Sequence, residues 1–293
     1  MKYFNALLIV LIILIPVHGV YVLRNSAFFK PNYVTTHFKE KNIDYVVLGS
    51  SRGLTTLDTK VLDSIWGTNG FNASLDGQNI LGGVMMLEHL LANNTKFSAC
   101  ILSLDIGDVG KGFDQPSTNS YRWISYINSG YISKYFKQFN DTPSKLISAS
   151  RIWPGFGFWY NNKKLVPAYL FSLYNKKARN KFDSSGNFSY PGMSNAAKTL
   201  NKKDEKIFLE LEGRAYQRIK TICQDNNIQL IVYVAPYFSN QIVFSKSDTL
   251  VNHSALFSDT DSLFYDDIHV NSHGRYLASL RLADSFKELA TSN

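Results

Sequence analysis

The sequence predicts an α/β fold in three layers: a parallel sheet between two sets of helices, preceded by an N-terminal transmembrane helix and carrying one basic, aromatic insertion. Three observations predict it. Short apolar runs of strand length alternate with segments whose apolar residues recur at helical spacing, the order that builds a parallel sheet covered on both faces. The first run, Tyr45-Val46-Val47-Leu48, is apolar throughout and stops at Gly49, which suits a buried parallel strand. The alternation ends at Gly110 and resumes only after about Leu200, so a separate block interrupts the fold. At 293 residues the chain can bury a full core, and one domain with a large insertion fits that length as well as two domains.

In chain order, Lys2 is followed by Phe4 to Leu23, twenty residues broken only by Asn5, Pro16 and His18. That length can cross a bilayer. Val17-His18-Gly19 would also serve as a signal-peptidase site, but apolar character continues to Leu23, which favours a retained anchor. Either way the rest of the chain is exported. Residues 24–43 read as a polar stalk, and 44–293 as the main domain. After the first strand and the turn Gly49-Ser50-Ser51-Arg52-Gly53, Leu54, Leu57, Val61, Leu62 and Ile65 mark a helix. Gly70 to Leu75 is a second strand ending in Asp76-Gly77-Gln78, Ile80 to Leu91 a second helix, and Ala99 to Leu104 a third strand. Ile207, Leu209, Leu211, Tyr216, Ile219 and Ile222 read as a further helix, Gln229 to Val234 as a strand, and the segment from Tyr276 to Phe286 as a closing helix.

The insertion, at about 109–203, reads as irregular chain. Its stretch 109–200 holds thirteen Lys or Arg against three Asp, whereas the whole protein carries +8, so the charge is concentrated there. Of the 41 Phe, Tyr and Trp residues, 19 also fall within it, most densely from Trp153 to Tyr160. For any single residue, packing and solvation explain this composition. Taken together, it suits a ligand with sugar faces to stack on and negative charge to pair with, which makes Trp153, Trp159 and Tyr160 candidate substrate-binding residues. Nucleic acid would match the charge, but an exported, membrane-tethered location argues against it. Cys100 and Cys223 sit in apolar surroundings and read as two buried thiols, with a disulfide open to them in an oxidising compartment.

Near the C-terminus, Tyr265-Asp266-Asp267-Ile268-His269-Val270-Asn271-Ser272-His273-Gly274 leads into the last helix. On such a loop Asp266 can turn back to the Nδ1 side of His269, leaving Nε2 to take a proton. Asp267 is a rival acid, and the Asp-x-x-His spacing favours Asp266. His273 reads as a solvent-facing residue of the first helical turn. A metal site of His269, His273 and the two aspartates is disfavoured, because no second ligand cluster accompanies them. The matching nucleophile is Ser51, at the tip of the turn after the first strand. Taken alone, Ser51 is also what an N-cap serine looks like. Gly49-x-Ser51-x-Gly53 further satisfies the nucleophile elbow of α/β-hydrolases, although it follows the first strand and its best Asp lies three residues before the His.

Gly-x-Ser after the first strand, with Asp-x-x-His-x-Asn-x-x-Gly near the C-terminus, resembles the SGNH (GDSL-like) hydrolase superfamily, in particular its membrane-anchored branch that handles acyl groups on cell-surface glycans. The resemblance spans roughly residues 44–108 and 204–290. It implies a flavodoxin-like α/β/α fold, a Ser51-His269-Asp266 triad, no cofactor, and acyl transfer or ester hydrolysis on an extracytoplasmic polysaccharide or glycolipid. The partners it implies are that acylated glycan, an anionic one fitting the insertion, the membrane, and an acyl-donor membrane protein. It also implies an oxyanion hole built from Ser51 and Gly77. The family's third block supplies an Asn from Gly-x-Asn-Asp, where this chain has Leu104-Asp105-Ile106-Gly107-Asp108, so the third donor is unassigned. Asn72 and Asp105 are candidates to shape the pocket, and Asp105 and Asp108 equally candidates to cap the loop. The competing class is a non-catalytic glycan-binding or assembly factor on the same fold.

Overall fold

The computed structural model describes residues 2–106, 115–175, 182–192, 205–244, 250–258 and 260–291. The chain divides into two compact units, residues 1–39 with 116–181 and residues 40–115 with 182–293. It begins with α1 (Lys2–Leu23) and α2 (Lys30–Phe38). There follow β1 (Tyr45–Gly49), α3 (Ser51–Thr56), α4 (Thr59–Trp66), β2 (Gly70–Asn72), α5 (Ile80–Ala92) and β3 (Ala99–Leu104). The interrupting segment forms α6 (Gly130–Lys137), α7 (Thr142–Ala149), α8 (Gly155–Tyr160) and α9 (Asn162–Tyr174). The chain closes with β4 (Glu205–Leu209), α10 (Arg214–Asp225), β5 (Gln229–Val234), β6 (Asn240–Phe244), β7 (Leu250–Asn252) and α11 (Ser272–Thr291).

The second unit is α/β. Its main sheet has five strands in the order β2-β1-β3-β5-β7, every neighbouring pair parallel. Alternate side chains of each strand face opposite ways. Tyr45, Val47, Ile101 and Tyr233 pack with Leu57, Leu62, Leu282 and Ala283, so one face lies under α4 and α11. Cys100 points to the other face, where its thiol meets Cys223 of α10; both are free, buried thiols. Because α5 packs against α10 and β1, helices cover both faces and the sheet is dry.

Three expectations are corrected. Ile207 and Leu209 lie in strand β4, paired in parallel with β6, and the helix starts only at Arg214. Their spacing suggests a helix, but Ile207 and Leu209 both pack beside Val234, Tyr237 and Ile242 while Phe208 between them is exposed, a period of two. Residues 24–39 are not a bare tether. Ser26 caps a 3-10 turn over Ala27–Phe29, α2 follows, and Phe29, Lys30 and Val34 are buried within the first unit. Among its described residues the interrupting segment is largely helical and not irregular. Asp141 caps α7 through the Ser144 N–H at 2.8 Å, with Pro143 in the first turn, and Trp123, Phe136, Phe158 and Leu165 are fully buried. Glycine and proline at 154, 155, 157 and 167 hide these helices from a periodicity count. The segment's packing also ends earlier than its charge pattern suggests: Phe182, Asn187 and Tyr190 belong to the α/β unit.

Candidate active site

Ser51 is positioned by two glycines that allow α3 to lie close on the sheet. A Cβ at Gly49 would come within 2.8 Å of the Ser103 carbonyl oxygen, and one at Gly53 within 2.7 Å of Ser74 Oγ. Asn72 holds the same helix, donating to the Gly53 and Leu57 carbonyls at 3.0 and 3.2 Å. Ser50 is the N-cap, its Oγ accepting from the Arg52 N–H at 3.1 Å, and Ser51 is the first helical residue. Among the described residues the non-glycine positive φ angles occur at Glu40, Asn94 and Asn227, so Ser51 lacks the strained backbone of a nucleophile elbow.

His269 Nε2 lies 2.8 Å from Ser51 Oγ, and His269 Nδ1 lies 2.9 Å from both oxygens of Asp266. A carboxylate only accepts, so Nδ1 carries the proton and Nε2 is left to accept from the serine hydroxyl. Asp266 Oδ1 also accepts from the N–H groups of His269 (2.7 Å) and Ile268 (3.0 Å). Burial alone would raise the Asp266 carboxyl, but its hydrogen bonds and the neighbouring His269 outweigh this and hold it below its ordinary value. Asp267 is exposed, as is His273 in the first turn of α11. Asn271 and Gly274 shape the end of the loop: Asn271 Oδ1 caps α11 by accepting from the N–H groups of His273 and Gly274 at 3.1 Å, and a Cβ at 274 would meet the Leu263 carbonyl oxygen at 2.3 Å.

The lowered Asp266 value has a signed consequence. A carboxyl more acidic folded than unfolded contributes stability that is present above its ordinary value of 3.8 and is lost as pH falls through the lower folded value. The melting temperature of the wild type should therefore fall more steeply in acid than that of Asp266→Asn. Parallel acid slopes in calorimetry would contradict this.

Next to the triad lies a buried cation that the sequence reading passed over. Arg52 is 2% exposed, its Nε pairs with Asp105 Oδ1 at 2.7 Å, and its other nitrogens donate to the carbonyls of Ile268 (2.7 Å), Ala235 (2.7 Å) and Pro236 (3.0 Å). Its guanidinium lies 3.3 Å from the centre of the Tyr237 ring. Ser50 Oγ donates to the other Asp105 oxygen. Burial raises the Asp105 carboxyl despite Arg52, Ser50 and His269 pulling it down. Arg52 thus links the serine turn to the residue next to His269 and to the chain leaving β5. The sheet explains the pair: β1 and β3 are parallel neighbours with Gly49 opposite Ser103, so the residues just beyond each strand converge.

Tyr190 was also missed, because its sequence position grouped it with the insertion. Its ring stacks on Tyr265 at 3.9 Å and 6°, and lies 5.4 Å from His269. Burial, then the charges of Asp76 and Asp266, push its phenol up to about 12, so it stays neutral at physiological pH.

Gly77 has φ +59°, a left-handed turn that suits glycine. The Leu75 N–H donates to the Gly49 carbonyl at 2.9 Å, which sets this turn at the sheet's carboxyl edge, as Ser51 is. Asp108 lies outside the described residues. Trp153, Trp159 and Tyr160 belong to the other unit. There the Trp153 ring packs edge-on with Phe156, and Trp159 Nε1 donates to the Ile12 carbonyl of α1 at 3.0 Å. Comparison with models of known protein families, and with curated proteins, gives no match.

Proposed function

We propose that the protein is a membrane-anchored SGNH-type serine esterase or O-acyltransferase, acting on an acylated extracytoplasmic polysaccharide or glycolipid. The observation that carries this is the continuous chain from Ser51 Oγ through His269 to Asp266, with contacts of 2.8 and 2.9 Å. The main sheet supports it too, since its strands counted in sequence run in the flavodoxin-like order.

In this proposal His269 Nε2 takes the Ser51 proton as Oγ attacks the ester carbonyl. The oxyanion is met by the backbone N–H groups of Ser51 and Gly77. His269 then returns the proton to the leaving alcohol, and Asp266 holds the imidazolium in place. Water or a sugar hydroxyl next attacks the acyl-enzyme by the reverse route. α1 anchors the chain, the rest is extracytoplasmic, and the basic first unit favours an anionic glycan. The family's third-block Asn is missing, Leu104 to Asp108 standing in place of that block, which favours as second reading a glycan-binding or assembly factor without turnover.

The test is to treat the full chain with an activated acetyl ester, map the acylated residue, and follow deacylation with and without acceptor glycan. Acylation at Ser51 is expected. Decay in water alone identifies a hydrolase, and decay only with glycan a transferase. No acylation by any ester would leave the second reading.

A further inference from the structure

The first unit holds more apolar surface than an anchor helix needs. Tyr3 to Leu14 of α1 are exposed all round, and from Ile15 onward one face of the helix is covered within this unit by α8 and α9. Twelve helical residues span only about 18 Å, well short of the ~30 Å hydrocarbon thickness of a bilayer. Reaching that thickness takes the whole apolar stretch Tyr3–Leu23. The covered half of α1, and whatever covers it, must then lie at membrane depth.

The covering elements suit that position. On α9, Phe171 is 69% exposed and Tyr174 93%, and Leu170 and Leu173 beside them are exposed too. Large apolar side chains gathered on one surface are costly in water and favourable in hydrocarbon. Polar groups on the shared face are satisfied internally, as lipid requires: His18 Nδ1 lies 2.8 Å from Tyr169 Oη, and Trp159 donates to Ile12. Beside them Leu11, Leu14, Val17 and Tyr21 line an open apolar groove of about 550 Å³, room enough for acyl chains to lie against it. Phe158 packs so closely on α1 that a Cβ at Gly19 would meet its ring at 2.6 Å, so α1 and α8 insert as one body.

We infer that α8 and α9 are immersed beside α1 in the leaflet nearest the folded chain, their exposed apolar face in contact with lipid acyl chains. Trp159, bonded to Ile12 near the middle of the Tyr3–Leu23 stretch, then lies at hydrocarbon depth with its N–H satisfied, the membrane-facing alternative to stacking on sugars. This rests on α1 being a retained anchor, so the experiment reports on both. Val10, Phe171 and, as a control in the α/β unit, Ser64 are exposed, and each is replaced singly by Cys in the full chain (Val10→Cys, Phe171→Cys, Ser64→Cys). Cys100 and Cys223 are buried and should not compete for label. Nitroxide labels are then compared in phosphatidylcholine–phosphatidylglycerol vesicles for relaxation by oxygen and by a water-soluble nickel chelate. The labels at 10 and 171 should both be oxygen-accessible and shielded from nickel, with the reverse at 64. A label at 171 as nickel-accessible as that at 64, with 10 still shielded, overturns the inference and keeps the anchor. Nickel access at 10 as well removes the anchor and the inference together.

Discussion

Ser51→Ala should abolish acylation by activated esters and lower turnover by a factor on the order of 10⁴ to 10⁶, the range expected when a triad nucleophile is lost. The fold should be unaffected, because Ser50 and not Ser51 supplies the N-cap oxygen of α3. Asp266→Asn is the companion variant. An amide in that place can donate to Nδ1 and turn the proton to Nε2, the wrong side for a base facing Ser51, at a cost on the order of 10⁴ in rate. The two should not multiply when combined, since serine, histidine and aspartate act as one unit. Acylation persisting in Ser51→Ala would place the nucleophile elsewhere.

Arg52→Met should cost about 3 kcal/mol of stability, the lower part of the range for breaking a buried ion pair, because Asp105 keeps 21% of its side chain exposed. The loss has two sources: an uncompensated carboxylate, and the carbonyls of Ile268, Ala235 and Pro236 left without their donor. Asp105→Asn should cost less, since the amide oxygen can still accept from Arg52. Combining Arg52→Met with Asp105→Leu should recover part of the stability but little of the activity, because His269 then sits on a loop whose tie to the serine turn is gone. Denaturant unfolding and ester turnover on the same samples separate the two effects. Full activity in the stabilised double variant would show that Arg52 serves the fold alone.

What the sequence determined by itself were the features written in local pattern. Strands β1, β2, β3 and β5 were legible because buried strands are short apolar runs, whereas β4, read as helix, and β6 and β7, not expected at all, were not; the helix long and apolar enough to cross a bilayer was legible because spanning needs a long apolar run. Asp266 beside His269 was legible because they are three positions apart on one loop. Their pairing with Ser51, 218 positions away, was inferable only through a resemblance, and it became a distance of 2.8 Å only in three dimensions. The tertiary structure alone decided the Arg52–Asp105 pair, because parallel strands β1 and β3 bring their carboxyl ends together across fifty residues of chain that carry no mark of it. It alone moved Tyr190 from the insertion to the side of His269. It also turned the aromatic insertion into helices whose burial faces α1, since glycine, proline and bulky rings obscure helical periodicity while still packing into a core. Local spacing fixes which groups are neighbours along a turn; only the folded chain fixes which distant groups share a site.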